Sequence, residues 1–248
     1  MLKDFSKEEF DIIIQAGQSN SEGCGQGDVE NPYSPNENIW YLNNDFTISM
    51  AQERIWGNSV VGDYSLSFAR EYSESGKLMS GRKVLIIRAA VGGTGFLDNR
   101  WKPNDDLCVR MMEMIKTALE LNTGNKLVAL LWHQGETDAV LNADFQTHYS
   151  NLSTLINNVR KTYKCETLPF IAGDFVHHWK LENMQICEPV IGAIKKVCSD
   201  IGNSMFVETT GLQSNDQRIG NQDTIHFCRE ALYQLGIKYF TAFEELTQ

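Results

Sequence analysis

Apolar residues along this chain fall into two patterns. The first is a set of short continuous runs: "DIII" (11–14), "IWYL" (39–42), "KVLIIRA" (83–89), "KLVALLW" (126–132), "LPFIAGDF" (168–175) and "SMFVET" (204–209). Runs of Val, Ile and Leu without polar alternation predict strands buried on both faces, the habit of parallel sheets. In the second pattern, apolar positions recur every three or four residues. Leu107, Met111, Ile115, Ala118 and Leu119 form one such series, and Leu141, Phe145, Leu152, Ile156 and Val159 another. Val190, Ile194, Val197 and Ile201 form a third, and Leu232, Leu235, Tyr239 and Phe243 a fourth. Each predicts a helix with one buried face. A further helix is predicted over 64–75, stopped by Gly76.

Strands alternating with helices predict one doubly wound α/β domain over residues 1–248. Right-handed crossovers then place helices on both faces of a parallel sheet. The stretch 19–62 breaks the alternation. It is rich in Gly, Asn and Pro and is expected to form surface loops beside a site.

In open α/β sheets, ligands bind beyond the carboxyl ends of the strands. Polar blocks fall there: "GQSN" (17–20) after the first strand, "VGGTGF" (91–96) after the third, and "HQGETD" (133–138) after the fourth. A further block, "DTIH" (223–226), precedes the last helix. Each has a plain reading as well as a chemical one. Gly23, Gly25 and Gly27 suggest a phosphate cradle, but "DVENPYSP" follows them and cannot open the helix a dinucleotide fingerprint needs. Ser19 alone fits a strand-end turn. It becomes a nucleophile only with an oriented base, and Asp223 with His226 three residues on supplies one. The plain alternative is an aspartate cap beside a surface histidine. Gly92, Gly93 and Gly95 read as a turn or as backbone N–H donors brought close to a ligand. Gln134 can offer an amide N–H to an oxyanion, and Glu136 can partner a histidine. Near a buried strand end, neither is cheap without such a partner. The loop aromatics Trp40, Tyr41, Trp56, Phe96, Trp101 and Trp179 read either as core or as a stacking platform for a sugar ring.

Composition narrows the field. The chain has 248 residues and a net charge of -10, which argues against nucleic acid and anionic membranes as partners. The six cysteines have neither zinc nor redox spacing and are expected to be reduced thiols. His133 has no second histidine at ligand spacing and "HHW" (177–179) stands alone, so neither a metal site nor a cofactor is expected. "MLKDFSKEEF" has no apolar run, so a cytoplasmic address is expected, or a secreted one if a leader has been removed.

"GQSN", "GGTGF", "HQGETD" and "DTIH", in this order, resemble the SGNH-type hydrolases, in the branch of carbohydrate esterase family six and the sialate O-acetylesterases. The resemblance implies a flavodoxin-like three-layer α/β/α sandwich with a central parallel sheet. It implies a serine esterase that removes O-acetyl groups from acetylxylan, sialic acid or another acetylated glycoside through an acyl-enzyme. Ser19 would be the nucleophile, His226 the base and Asp223 its orienter, with Glu136 as the rival acid. The N–H groups of Ser19 and Gly93 and the amide of Gln134 would form the oxyanion hole. Gln18, Asn20, Gly92 and Thr94 would contact substrate. GQSN replaces the commoner GDS, Gln134 stands where most SGNH enzymes have asparagine, and Ser21 fills a position usually held by methionine. Two other readings of the scaffold are a non-catalytic carbohydrate-binding protein and a lipase or thioesterase for longer acyl chains. Oligomeric state is not legible.

Overall fold

Every continuous apolar run lies in a strand of one seven-stranded sheet. A computed structural model describes residues 4–248. Its strands are β1 (Glu9–Gly17), β2 (Ile39–Leu42), β3 (Ile48–Met50), β4 (Arg54–Trp56), β5 (Ser59–Val61), β6 (Arg82–Arg88), β7 (Lys126–His133), β8 (Phe170–Gly173) and β9 (Ser204–Val207). Its helices are α1 (Ser19–Glu22), α2 (Tyr64–Glu74), α3 (Asp106–Glu120), α4 (Glu136–Val140), α5 (Phe145–Thr162), α6 (His177–Glu182), α7 (Met184–Asp200), α8 (Asn215–Ile219) and α9 (Arg229–Leu246).

The sheet order is β3-β2-β6-β1-β7-β8-β9, and all neighbours are parallel except β2 and β3. β1 therefore lies between β6 and β7, where the winding of the chain reverses. That is the switch point at which a crevice opens beyond the strand ends. β1 is buried from Phe10 to Gly17, which explains its unbroken apolar run. Helices enclose the sheet in two layers. α2 packs on α9 and against β6, and α9 lies on β8 and β9. α3 packs on β1 and β6, and α7 packs on α5, β8 and β9. This is the expected α/β/α sandwich.

The stretch 19–62 holds more structure than expected. "IWYL" adds a fully buried strand to the main sheet, and β3 folds back on it as the antiparallel edge. β4 and β5 form a separate hairpin that carries Ile55 and Trp56 into solvent. Loop composition hid β3, β4 and β5, each only three residues long, whereas the apolar run of β2 had marked its strand.

α2 and α9 approach most closely at Gly236. A Cβ there would lie 2.0 Å from Ser67 Oγ and 2.1 Å from Tyr64 O. Gly236→Ala must push the two helices apart. It is expected to lower unfolding stability by about 1–3 kcal/mol, the usual cost of overpacking. Urea unfolding followed by circular dichroism reads this, and an unchanged midpoint would refute the tight crossing.

Candidate active site

The site begins where β1 ends. Gly17 has a φ of 125°, and a Cβ there would lie 2.1 Å from His133 O at the end of β7. Only glycine tolerates both the conformation and the approach. Gln18 N–H then donates to His133 O at 2.9 Å, and the chain turns directly into α1. Ser19 is the first residue of that helix. Its backbone N–H belongs to the first turn, where no preceding turn supplies a carbonyl partner.

The chain returns to Ser19 through the loop between α8 and α9. His226 Nε2 lies 2.8 Å from Ser19 Oγ. His226 Nδ1 lies 2.9 and 3.0 Å from the two oxygens of Asp223. Asn215 Nδ2 donates to Asp223 Oδ2 at 2.9 Å, so the carboxylate is held from its far side as well. A capping box of Ser214 and Gln217 starts α8 and fixes the base of the loop. Asn20 holds the other side: its Oδ1 accepts from Phe227 N–H at 3.0 Å, and its Nδ2 donates to Ile225 O at 3.1 Å.

Asn20 also donates to Glu136 Oε1 at 2.8 Å. Asn20, expected at the substrate, is fully buried and braces the His226 loop. The two acids differ in position. Asp223 occupies His226 Nδ1, whereas Glu136 is hydrogen-bonded to Asn20. Their electrostatics diverge too. Burial pushes Asp223 up, but hydrogen bonds from His226 and Asn215 outweigh it and leave the carboxyl below its ordinary range. Burial dominates at Glu136, and its pKa is raised. At His226, burial opposes the imidazolium, while Asp223 and the neighbouring Cys24 sulfur favour it, and the balance raises its pKa. Burial also raises the Cys24 thiol, which keeps that sulfur protonated at neutral pH. Asp223 is thus the charged partner that matters.

The glycine turn after β6 faces the serine. A Cβ on Gly92 would lie 3.6 Å from Ser19 Cβ. Gly92 N–H is already donated to Glu22 Oε2 at 2.7 Å. Glu22, which the sequence reading passed over, is also paired with Arg54 at 2.8 Å. The exposed Gly93, with a φ of 69°, carries the neighbouring N–H. Gln134 is buried, and its Nε2 donates to Asp138 Oδ2 at 3.0 Å, which occupies one of its two amide hydrogens. Thr94, also expected at the substrate, is buried, donates to Val91 O at 2.7 Å and accepts from Trp101 Nε1 at 2.9 Å. Gln18 reaches the cavity wall, but its Oε1 accepts from Thr137 N–H at 3.1 Å and orders the β7–α4 loop.

Ser19, His226, Gly92 and Trp56 line a cleft with two halves. One half, of about 460 Å³, adds Glu22, Cys24 and Arg54. The other, of about 440 Å³, adds Val140, Leu141 and Ile225. Of the six loop aromatics, only Trp56 stands at this cleft, with 58% of its surface exposed. Trp40, Tyr41, Phe96, Trp101 and Trp179 are core residues. Trp56 rides on the β4–β5 hairpin, and its indication in the sequence was an aromatic in a polar loop. Asn215 gave no such indication. All six cysteines are free thiols. Among the described residues, no group of three or more His, Cys, Asp or Glu is placed to hold a metal ion, and no helix is long and apolar enough to cross a membrane.

The chain has relatives in sequence and in fold. A probable carbohydrate esterase of Arabidopsis thaliana is 24% identical over 94% of this chain and 89% of its own length. The crystal structure of that Arabidopsis protein superposes with a TM-score of 0.76 at 22% identity, covering 96% of this chain and 98% of the other. The structure of NanS superposes with a TM-score of 0.78 at 18% identity, covering 97% and 98%. A carbohydrate acetylesterase of Xanthomonas citri gives 0.60 at 14% identity, covering 95% of this chain and 56% of the other. These likenesses establish the SGNH-type fold. The sequence model of the family described as carbohydrate esterase, sialic acid-specific acetylesterase, matches residues 9–245. The chain belongs to that family and is a carboxylic ester hydrolase.

Proposed function

We propose that this hydrolase removes O-acetyl groups from a carbohydrate through an acetyl-enzyme on Ser19. The observation that carries the reading is the unbroken line from Asp223 through His226 to Ser19 Oγ at the cleft. A serine hydroxyl is a weak nucleophile until a base takes its proton, and the base works best when its ring is fixed by a carboxylate. His226 Nε2 accepts the Ser19 proton as Oγ bonds to the acetyl carbonyl carbon. The N–H groups of Ser19 and Gly93 stabilise the oxyanion, and the second amide hydrogen of Gln134 supports them. The carbon–oxygen bond to the sugar then breaks, and His226 returns the proton to the leaving sugar oxygen. Water, deprotonated by the same imidazole, attacks the acetyl-serine and releases acetate. Trp56 offers an aromatic face to the sugar ring.

Ser19→Ala should lower kcat for p-nitrophenyl acetate by about 10⁴-fold or more, since triad serines act as a unit with their base. A scaffold that only binds glycan would show no Ser19-dependent turnover.

Asp223→Asn should cost about 10⁴-fold in kcat, the scale seen when a triad acid is neutralised. Glu136→Gln keeps an acceptor for Asn20 and should stay within about tenfold of wild type, because Glu136 acts through packing. If the two variants exchanged these effects, Glu136 would be the acid partner.

His226 must be neutral to accept the serine proton, so activity is lost as pH falls through its pKa. Because that pKa is raised, the acid limb of kcat/KM should lie above the ordinary histidine value of 6.5. A residual limb in Asp223→Asn should move toward lower pH. A wild-type limb centred below 6.5 would contradict the assigned pair.

A further inference from the structure

A second cavity, of about 400 Å³, opens beside the Ser19 cleft, with Glu22 and Arg54 shared between the two. Gln15, on β1, lines it. That side chain is fully buried, its amide nitrogen is donated to Ser21 O, and its Oε1 has no partner among the described residues. A buried carbonyl oxygen without a donor carries a free-energy cost that a ligand hydroxyl would relieve. Beside it, in register on β6, Arg88 lies 4.7 Å from the Tyr41 ring centroid and gives one N–H to Glu22 O at 3.2 Å. The exposed turn after β2 closes the cavity with Asn44, Asp45 and Thr47.

The charges around this cavity cancel. Arg54 is paired with Glu22 at 2.8 Å, and the other two charged lining residues, Arg88 and Asp45, carry opposite signs. What remains is a mixture of donors and acceptors in fixed positions. That chemistry matches a neutral polyhydroxylated ring better than an isolated anion or an apolar chain. We propose that this cavity is the subsite for the sugar unit adjoining the acetylated one, so that the preferred substrate is an acetylated glycan of at least two units. The proposal rests on the esterase reading of the Ser19 cleft for its catalytic consequence, but not for the binding itself.

The test compares mono-O-acetylated xylobiose, lactose and diacetylchitobiose with the matching acetylated methyl monosaccharides. Each kcat/KM is divided by that for p-nitrophenyl acetate on the same variant, so that loss of folding or of the nucleophile cancels. At least one disaccharide should exceed its monosaccharide by tenfold or more. Thr47→Trp, which fills the cavity from its exposed rim, should bring that ratio close to one. Binding of the three unacetylated disaccharides to Ser19→Ala, followed by NMR chemical shifts, decides the matter without catalysis. Thr47→Trp in that background should weaken the tightest of them about tenfold. Ratios near one across the whole set in wild type, or a preference and binding that survive Thr47→Trp, would overturn the subsite. Loss of all Ser19-dependent turnover with intact, Thr47-sensitive binding would overturn the esterase reading and leave the subsite standing.

Discussion

The close approach of Gly17 to the last carbonyl of β7 sets the geometry of everything above it. Two adjacent strands end at the same height, and the backbone must leave β1 with no side chain between them. The turn that results is so short that Gln18, Ser19 and Asn20 leave it in three directions. Gln18 holds the loop after β7, Ser19 faces the cleft, and Asn20 holds the loop before α9. Two residues farther on, Glu22 takes hold of the glycine turn after β6. One short segment thus positions Ser19 and fixes the loops around it.

Two acids lie near His226, each with an asparagine of its own, yet their environments separate them. Asp223 receives hydrogen bonds from His226 and Asn215 and is held in its charged form. Glu136 is fully buried, and its desolvation favours the neutral form. Charge complementarity for an imidazolium that forms during a reaction needs the first environment. A rigid prop for Asn20 needs only the second.

Much of the fold was legible because burial on both faces of a parallel sheet leaves a plain mark, the unbroken apolar run. "KVLIIRA" and "KLVALLW" carry it clearly. The three-residue strands β3, β4 and β5 do not, since their pairing depends on neighbours remote in sequence. In the site, the proximity of Ser19, Asp223 and His226 was legible because a hydroxyl, a carboxylate and an imidazole at such positions have few other reasons to converge. Asn20 and Thr94, expected at the ligand, lie buried for a physical reason. A polar side chain at a strand end serves equally well to satisfy buried backbone, and only burial distinguishes the two uses. Glu22, Asn215 and the cavity around Gln15 had no signature, because each acquires its role from a partner far along the chain.

Asp223 and His226 sit three residues apart on one loop, and Asn20 and α8 anchor that loop at its two sides. Acid and base therefore move as a single rigid piece. A fluctuation that lifts the loop withdraws both together, and one that returns it restores both already aligned.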